Sequence, residues 1–81
     1  MKRYWYRQCP VCKEGTLFVM KKTEEGSLYL LCEECFCAFK TPAEAFDGNN
    51  CQEGMDVQGV YASQEDIIKH GWSEYPFKEI S

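Results

Sequence analysis

The chain has 81 residues and a formal net charge of −4; 44% of its residues are hydrophobic and 27% charged. That is the composition of a folded globule rather than a disordered tail, and at this length one domain spanning residues 1–81 is the expectation. The longest apolar run, residues 28–32, falls far short of the ~20 residues of a membrane helix, and the basic start MKRYWYRQ leads into no apolar signal segment, so a cytoplasmic protein with no membrane partner is expected.

Tyr4, Trp5 and Tyr6, flanked by Lys2, Arg3 and Arg7, suit a short strand running into the first cysteines. TLFVMKK (16–22) and SLYLL (27–31) are rich in strand formers, and TEEG (23–26) between them reads as the turn of a β-hairpin. TPAEAFDG (41–48) carries a helix start: Thr41 as cap, Pro42 in the first helical position, Glu44 three residues after the cap, and Gly48 as a stop. GNNCQEG (48–54) reads as loop, and MDVQGVYA (55–62) as a strand with Gly59 at a bulge or close contact. SQEDIIKHGW (63–72) predicts a second helix, capped by Ser63 with Asp66 in the third position and ended by Gly71. Trp72, Tyr75 and Phe77 then fold back onto the core. The fold class is thus small α+β: metal-bearing hairpins over residues 4–40, then an acidic extension over 41–81 with one or two short helices.

Six cysteines dominate the chemistry. Cys9 and Cys12 are spaced C-x2-C, and Cys32 and Cys35 repeat that spacing after 19 intervening residues. Two such pairs are a strong signal for a tetrahedral metal site. A two-residue spacer lets one tight turn aim both sulfurs at an ion while its backbone N–H groups donate to them, and the 16–31 hairpin brings the two pairs together. In a reducing compartment paired cysteines are metal ligands more often than disulfides. Cys37 is expected to be a small buried hydrophobe and Cys51 a spare thiol; a ligand role for Cys37 and a Cys37–Cys51 disulfide are the less favoured readings.

These knuckles, CPVC and CEEC, resemble those of a zinc ribbon over residues 9–39. The resemblance implies one Zn²⁺ held by Cys9, Cys12, Cys32 and Cys35. Ribbon knuckles often place glycine directly after the second cysteine, where the backbone turns left-handed; here Lys13 and Phe36 stand there. The whole chain, with its QEDIIKHGW helix and aromatic tail, is similar to small bacterial cytosolic zinc-ribbon proteins, a likeness that implies no assigned activity. Rubredoxin-like iron carriers share the cysteine pairing and are the competing redox reading.

Four thiolates close the coordination sphere and leave no open position for substrate, so the metal is expected to be structural. No nucleophile motif or phosphate-binding loop accompanies it, and the single histidine, His70, falls at a predicted helix end. A non-enzymatic protein is the expectation. Residues 1–40 hold seven Lys/Arg against five Asp/Glu, whereas residues 41–81 hold two against eight. A divalent ion in four thiolates adds about two further negative charges. This balance favours a basic protein as partner over nucleic acid. An acidic interaction module, of the kind that inhibits a basic toxin as an immunity protein or antitoxin, is the leading expectation, with Glu65, Asp66, Trp72 and Glu74 as candidate contact residues. The alternative is a nucleic-acid-associated zinc ribbon of transcription or translation, which requires a continuous basic face across Arg3, Arg7, Lys21 and Lys22.

Overall fold

A computed structural model describes residues 3–48, 51 and 59–80. Strand β1 (Arg3–Gln8) alternates: Tyr4 and Tyr6 turn toward the core, while Trp5 lies on the opposite face, across from Phe18. Strands β2 (Thr16–Lys22) and β3 (Leu28–Cys32) form the expected hairpin, closed by a bond from Gly26 N to Lys22 O of 2.8 Å. Its register pairs Leu17 with Cys32 and Val19 with Leu30 on the core face, and Phe18 with Leu31 and Met20 with Tyr29 on the other. Strand β4 (Ala38–Phe39) continues the sheet from β3.

Helix α1 (Pro42–Asp47) starts where its cap signal stands: Thr41 Oγ1 accepts from Glu44 N at 3.2 Å, and the helix stops at Gly48. Strand β5 (Gly59–Tyr61) occupies the end of the predicted 55–62 strand; residues 55–58 lie outside the described residues, as does the predicted 48–54 loop apart from Gly48 and Cys51. Helix α2 (Gln64–Lys69) opens on a complete capping box, with Ser63 Oγ accepting from Asp66 N at 3.2 Å and Asp66 Oδ2 accepting from Ser63 N at 3.1 Å. Strand β6 (Lys78–Ile80) returns along β1, pairing Arg3 with Ile80 and Trp5 with Lys78.

All pairings among the described residues are antiparallel, in the order β4-β3-β2-β1-β6. Strand β2 is long enough to be shared: β1 lies along its first half and β5 along its last three residues, with Met20 opposite Tyr61. Among the described residues the result is a small six-stranded sheet with two short helices, an α+β arrangement. None of its helices, among the described residues, is long and apolar enough to cross a membrane.

Each helix has only six residues, too few to be stable alone. Both are held by packing: Ala45 and Ile67 are buried in the same cluster as Leu17, Val19, Leu30 and Phe39. Each of the large apolar side chains there contributes about 1.5–3 kcal/mol. The tail folds back as expected. Trp72 stacks on Phe77 at 6.2 Å between centroids, and Tyr6 meets the Phe77 ring at 5.5 Å. Lys21 reaches across from β2 to Asp66 at 3.3 Å, fastening α2 to the sheet.

One expectation is corrected. Cys37 is fully buried, but it is no free thiol and Cys51 is not spare: the two form a disulfide, with Cα atoms 5.3 Å apart. The bond ties the segment entering β4 to the chain beyond α1 and so closes a covalent loop around that helix.

Candidate metal centre

The site is built at the end of the sheet where β1, β2 and β3 meet. The turn after β1 carries Cys9 and Cys12, held by Cys9 N donating to Gly15 O at 2.8 Å and Lys13 N donating to Cys9 O at 3.0 Å. The turn after β3 carries Cys32 and Cys35, with Cys32 N donating to Cys37 O at 3.0 Å and Glu33 N crossing to Thr16 O at 3.3 Å. Because Leu17 is paired with Cys32 in the hairpin register, strand pairing and ligand placement enforce one another.

Together the two turns bring the four sulfurs within 4.8 Å of one another. Cys9 and Cys35 sulfurs lie 3.7 Å apart, and those of Cys12 and Cys32 lie 3.6 Å apart. A tetrahedron of metal–sulfur bonds of about 2.3 Å has edges of about 3.8 Å, which these two separations match. Cys9 and Cys32 are buried while Cys12 and Cys35 are half-buried, so one side of the cage is closed by protein and the other approaches solvent.

Backbone amides are aimed at the sulfurs. Gly15 N donates to Cys12 Sγ, and Glu34 N and Cys35 N both donate to Cys32 Sγ, each at 3.4 Å. Such bonds stabilise thiolate and orient it. Lys13 and Phe36 both adopt φ of 59°. The left-handed turn that glycine usually makes after a knuckle is therefore present at both positions without glycine. Side chains in that conformation cost about 1–2 kcal/mol each, a strain that ion binding and the surrounding hydrogen bonds must offset. Gly15 is needed for a different reason: a Cβ there would lie 2.5 Å from Cys32 Sγ and 2.9 Å from Glu34 Cβ. Gly15→Ala is expected to weaken metal binding roughly 10–100-fold, as loss of a ligand's supporting shell does; competition against a chromophoric chelator measures this.

The environments of the thiols differ. The N–H groups of Glu14 and Gly15 hold the Cys12 thiol down at about 6. Burial pushes Cys35 up to about 12 and also raises Cys32. Near pH 7 Cys32 and Cys35 are therefore protonated without metal, and each must lose its proton to ligate. At least two protons should leave per ion bound, so affinity should rise about 100-fold or more per pH unit near neutrality. Below about 6 the Cys12 thiol protonates as well and the dependence steepens. Proton release into a weakly buffered solution during metal titration counts them.

The candidate contact residues are divided by the fold. Glu65 and Glu74 are exposed. Asp66 is occupied by Ser63 and Lys21, and its carboxyl is lowered first by the backbone N–H of Ser63. Trp72 is half-buried against Phe77. His70 sits at the end of α2 with Nδ1 2.8 Å from Asp66 O. The four cations named for a basic face are each engaged within the molecule. Arg3 lies over Phe18 and Tyr61, Arg7 lies over Phe46, Lys21 pairs with Asp66 and Lys22 with Glu25.

The left-handed backbone at Lys13 and Phe36 was not predicted, and the Cys37–Cys51 bond is one of the less favoured readings of those cysteines. For the first the signal was present, in the knuckle pattern itself; for the second no local spacing announced it. Comparison of the chain with models of protein families, with curated proteins and with solved structures gives no match.

Proposed function

We propose that this chain is a non-enzymatic, zinc-ribbon-like scaffold in which one structural Zn²⁺ is held by Cys9, Cys12, Cys32 and Cys35, and that it acts as an acidic module binding a basic protein, in the manner of an immunity protein or antitoxin. The observation that carries the metal reading is the closed cage of four sulfurs within 4.8 Å of one another. A sphere filled by four thiolates has no place for a substrate and makes the ion a weak Lewis acid, which supports a structural role. Zinc is favoured over iron because the same ligands bind Zn²⁺ more tightly than Fe²⁺. The partner reading is supported by the net charge of −4, to which the cage adds about two negative charges, and by the exposed carboxylates of Glu65 and Glu74. The pairing of Lys21 with Asp66 and of Lys22 with Glu25 interrupts the continuous basic face that nucleic acid would need, which favours protein as partner. Affinity capture from the native host with zinc-loaded protein tests this. Recovery of one basic protein at a one-to-one ratio is expected; recovery of RNA or DNA contradicts the partner reading. A red protein containing iron contradicts the metal reading.

A further inference from the structure

We propose that Cys35 is a site of oxidation by peroxides and that Cys9 resolves it, so that the cage converts to a Cys9–Cys35 disulfide and gives up its ion. This rests on the four-thiolate reading and adds a reactivity that a structural metal does not require.

The four sulfurs are not equivalent. Cys9 and Cys32 are buried, whereas Cys12 and Cys35 are half-buried, so a small oxidant meets only the latter two. Glu33, Glu34 and Phe36 around Cys35 are all exposed and leave its approach open. Hydrogen bonding then separates Cys12 from Cys35. The backbone N–H groups of Glu14 and Gly15 donate to Cys12 Sγ, whereas among the described residues the only backbone N–H on Cys35 Sγ is that of Cys37. All four cysteines are thiolates once they ligate. Donors on a thiolate draw on its lone pairs and lower its nucleophilicity, so the less bonded sulfur, Cys35, is the more reactive.

The same asymmetry picks the second sulfur. Cys9 Sγ lies 3.7 Å from Cys35 Sγ, and among the described residues no backbone N–H donates to it. A disulfide is about 2.05 Å long, so the pair has about 1.7 Å to close, within reach of side-chain rotation. Cys32 is a poorer partner. Its sulfur is held by the N–H groups of Glu34 and Cys35 and backed by Gly15, where a Cβ would lie 2.5 Å away. Cys37, two residues beyond Cys35, cannot compete because its sulfur is already bonded to Cys51.

The Cys35 thiolate attacks one peroxide oxygen. An S–O bond forms, the O–O bond breaks and hydroxide leaves, giving a sulfenic acid. The Cys9 thiolate then attacks the Cys35 sulfur; the S–S bond forms, the S–O bond breaks and a second hydroxide leaves. Two electrons pass from the sulfur pair to one peroxide, and both hydroxides take protons from water. Cys12 and Cys32 remain as two ligands, too few for a tetrahedral ion. The new bond joins residues 26 apart in sequence and links the same two turns that the ion linked.

The test treats zinc-loaded protein with limiting hydrogen peroxide. Released zinc is read with a chromophoric chelator, the remaining thiols are alkylated, and the peptides are mapped by mass spectrometry. One zinc freed per peroxide consumed, a Cys9–Cys35 linked peptide, alkylated Cys12 and Cys32, and an unchanged Cys37–Cys51 bond are expected. A 1,3-diketone present during the reaction should trap sulfenic acid at Cys35, and severalfold more of it in Cys9→Ser, which lacks the resolving sulfur. If that variant does not fold, the map of the unaltered protein decides. A bond between Cys12 and Cys32, or within either knuckle, would overturn the proposal. So would trapping at Cys12, or a zinc protein inert to peroxide that oxidises the unfolded chain. These results would leave the four-thiolate reading standing; a chain holding no stoichiometric zinc before peroxide is added would overturn both.

Discussion

Removing the metal should unfold this protein. Structural tetrathiolate zinc contributes about 10–16 kcal/mol of apparent binding free energy, whereas a chain of this length is stable by only ~4–12 kcal/mol in total. The geometry explains why the loss would spread beyond the site. Cys9 directly follows β1, and Cys32 is the last residue of β3, directly paired with Leu17. Without an ion, nothing bonds the four sulfurs, within 4.8 Å of one another, and the two turns lose their link. Cys9 and Cys32, moreover, are buried, and the left-handed turns at Lys13 and Phe36 have nothing to offset their strain. On treatment with a strong chelator, the cooperative melting transition followed by circular dichroism should disappear at room temperature and return when one equivalent of Zn²⁺ is added. A metal-free protein melting cooperatively within a few degrees of the zinc form would show that the sheet stands without the cage.

The second large effect belongs to the disulfide and should separate cleanly from the first. Cys37 and Cys51 are 14 residues apart in sequence. Closing a loop of about that size lowers the entropy of the unfolded chain by an amount worth about 3 kcal/mol. Cys51→Ala should therefore lower the unfolding free energy by about 3 kcal/mol in urea titration, while leaving zinc stoichiometry at one per chain. Cys37 then remains as a small apolar side chain in the core, a role free cysteine fills well. If the variant lost its zinc instead, the disulfide would be part of the metal cage's support rather than an independent brace.

Local signals carried a large part of the fold. The 16–31 hairpin follows from two runs of strand formers around a glycine-containing turn, and both helices begin at their caps, Thr41 and Ser63. The cysteine cluster was legible for the same reason: each C-x2-C pair is a local geometric unit, and the hairpin between them fixes their approach. What stayed hidden is non-local. Residues 78–80 have no alternation that marks them as a strand, and they become one only by pairing with β1 at the other end of the chain. Strand β4 has two residues, too few for any periodicity. The division of β2 between β1 and β5 is a property of sheet assembly rather than of its sequence. The Cys37–Cys51 pairing is set by where β4 and the chain after α1 come together. The candidate contact residues were chosen by charge and aromatic character alone. Charge does not reveal that Asp66 closes a capping box, or that Trp72 stacks on Phe77.

The account turns on one coordination sphere, and X-ray absorption at the metal edge of the purified protein examines it most directly. One zinc per chain, surrounded by four sulfur neighbours at about 2.3 Å and reduced to three in Cys35→Ser, is the result expected. A first shell containing nitrogen or oxygen in the unaltered protein, or a chain that binds no stoichiometric ion, would contradict it.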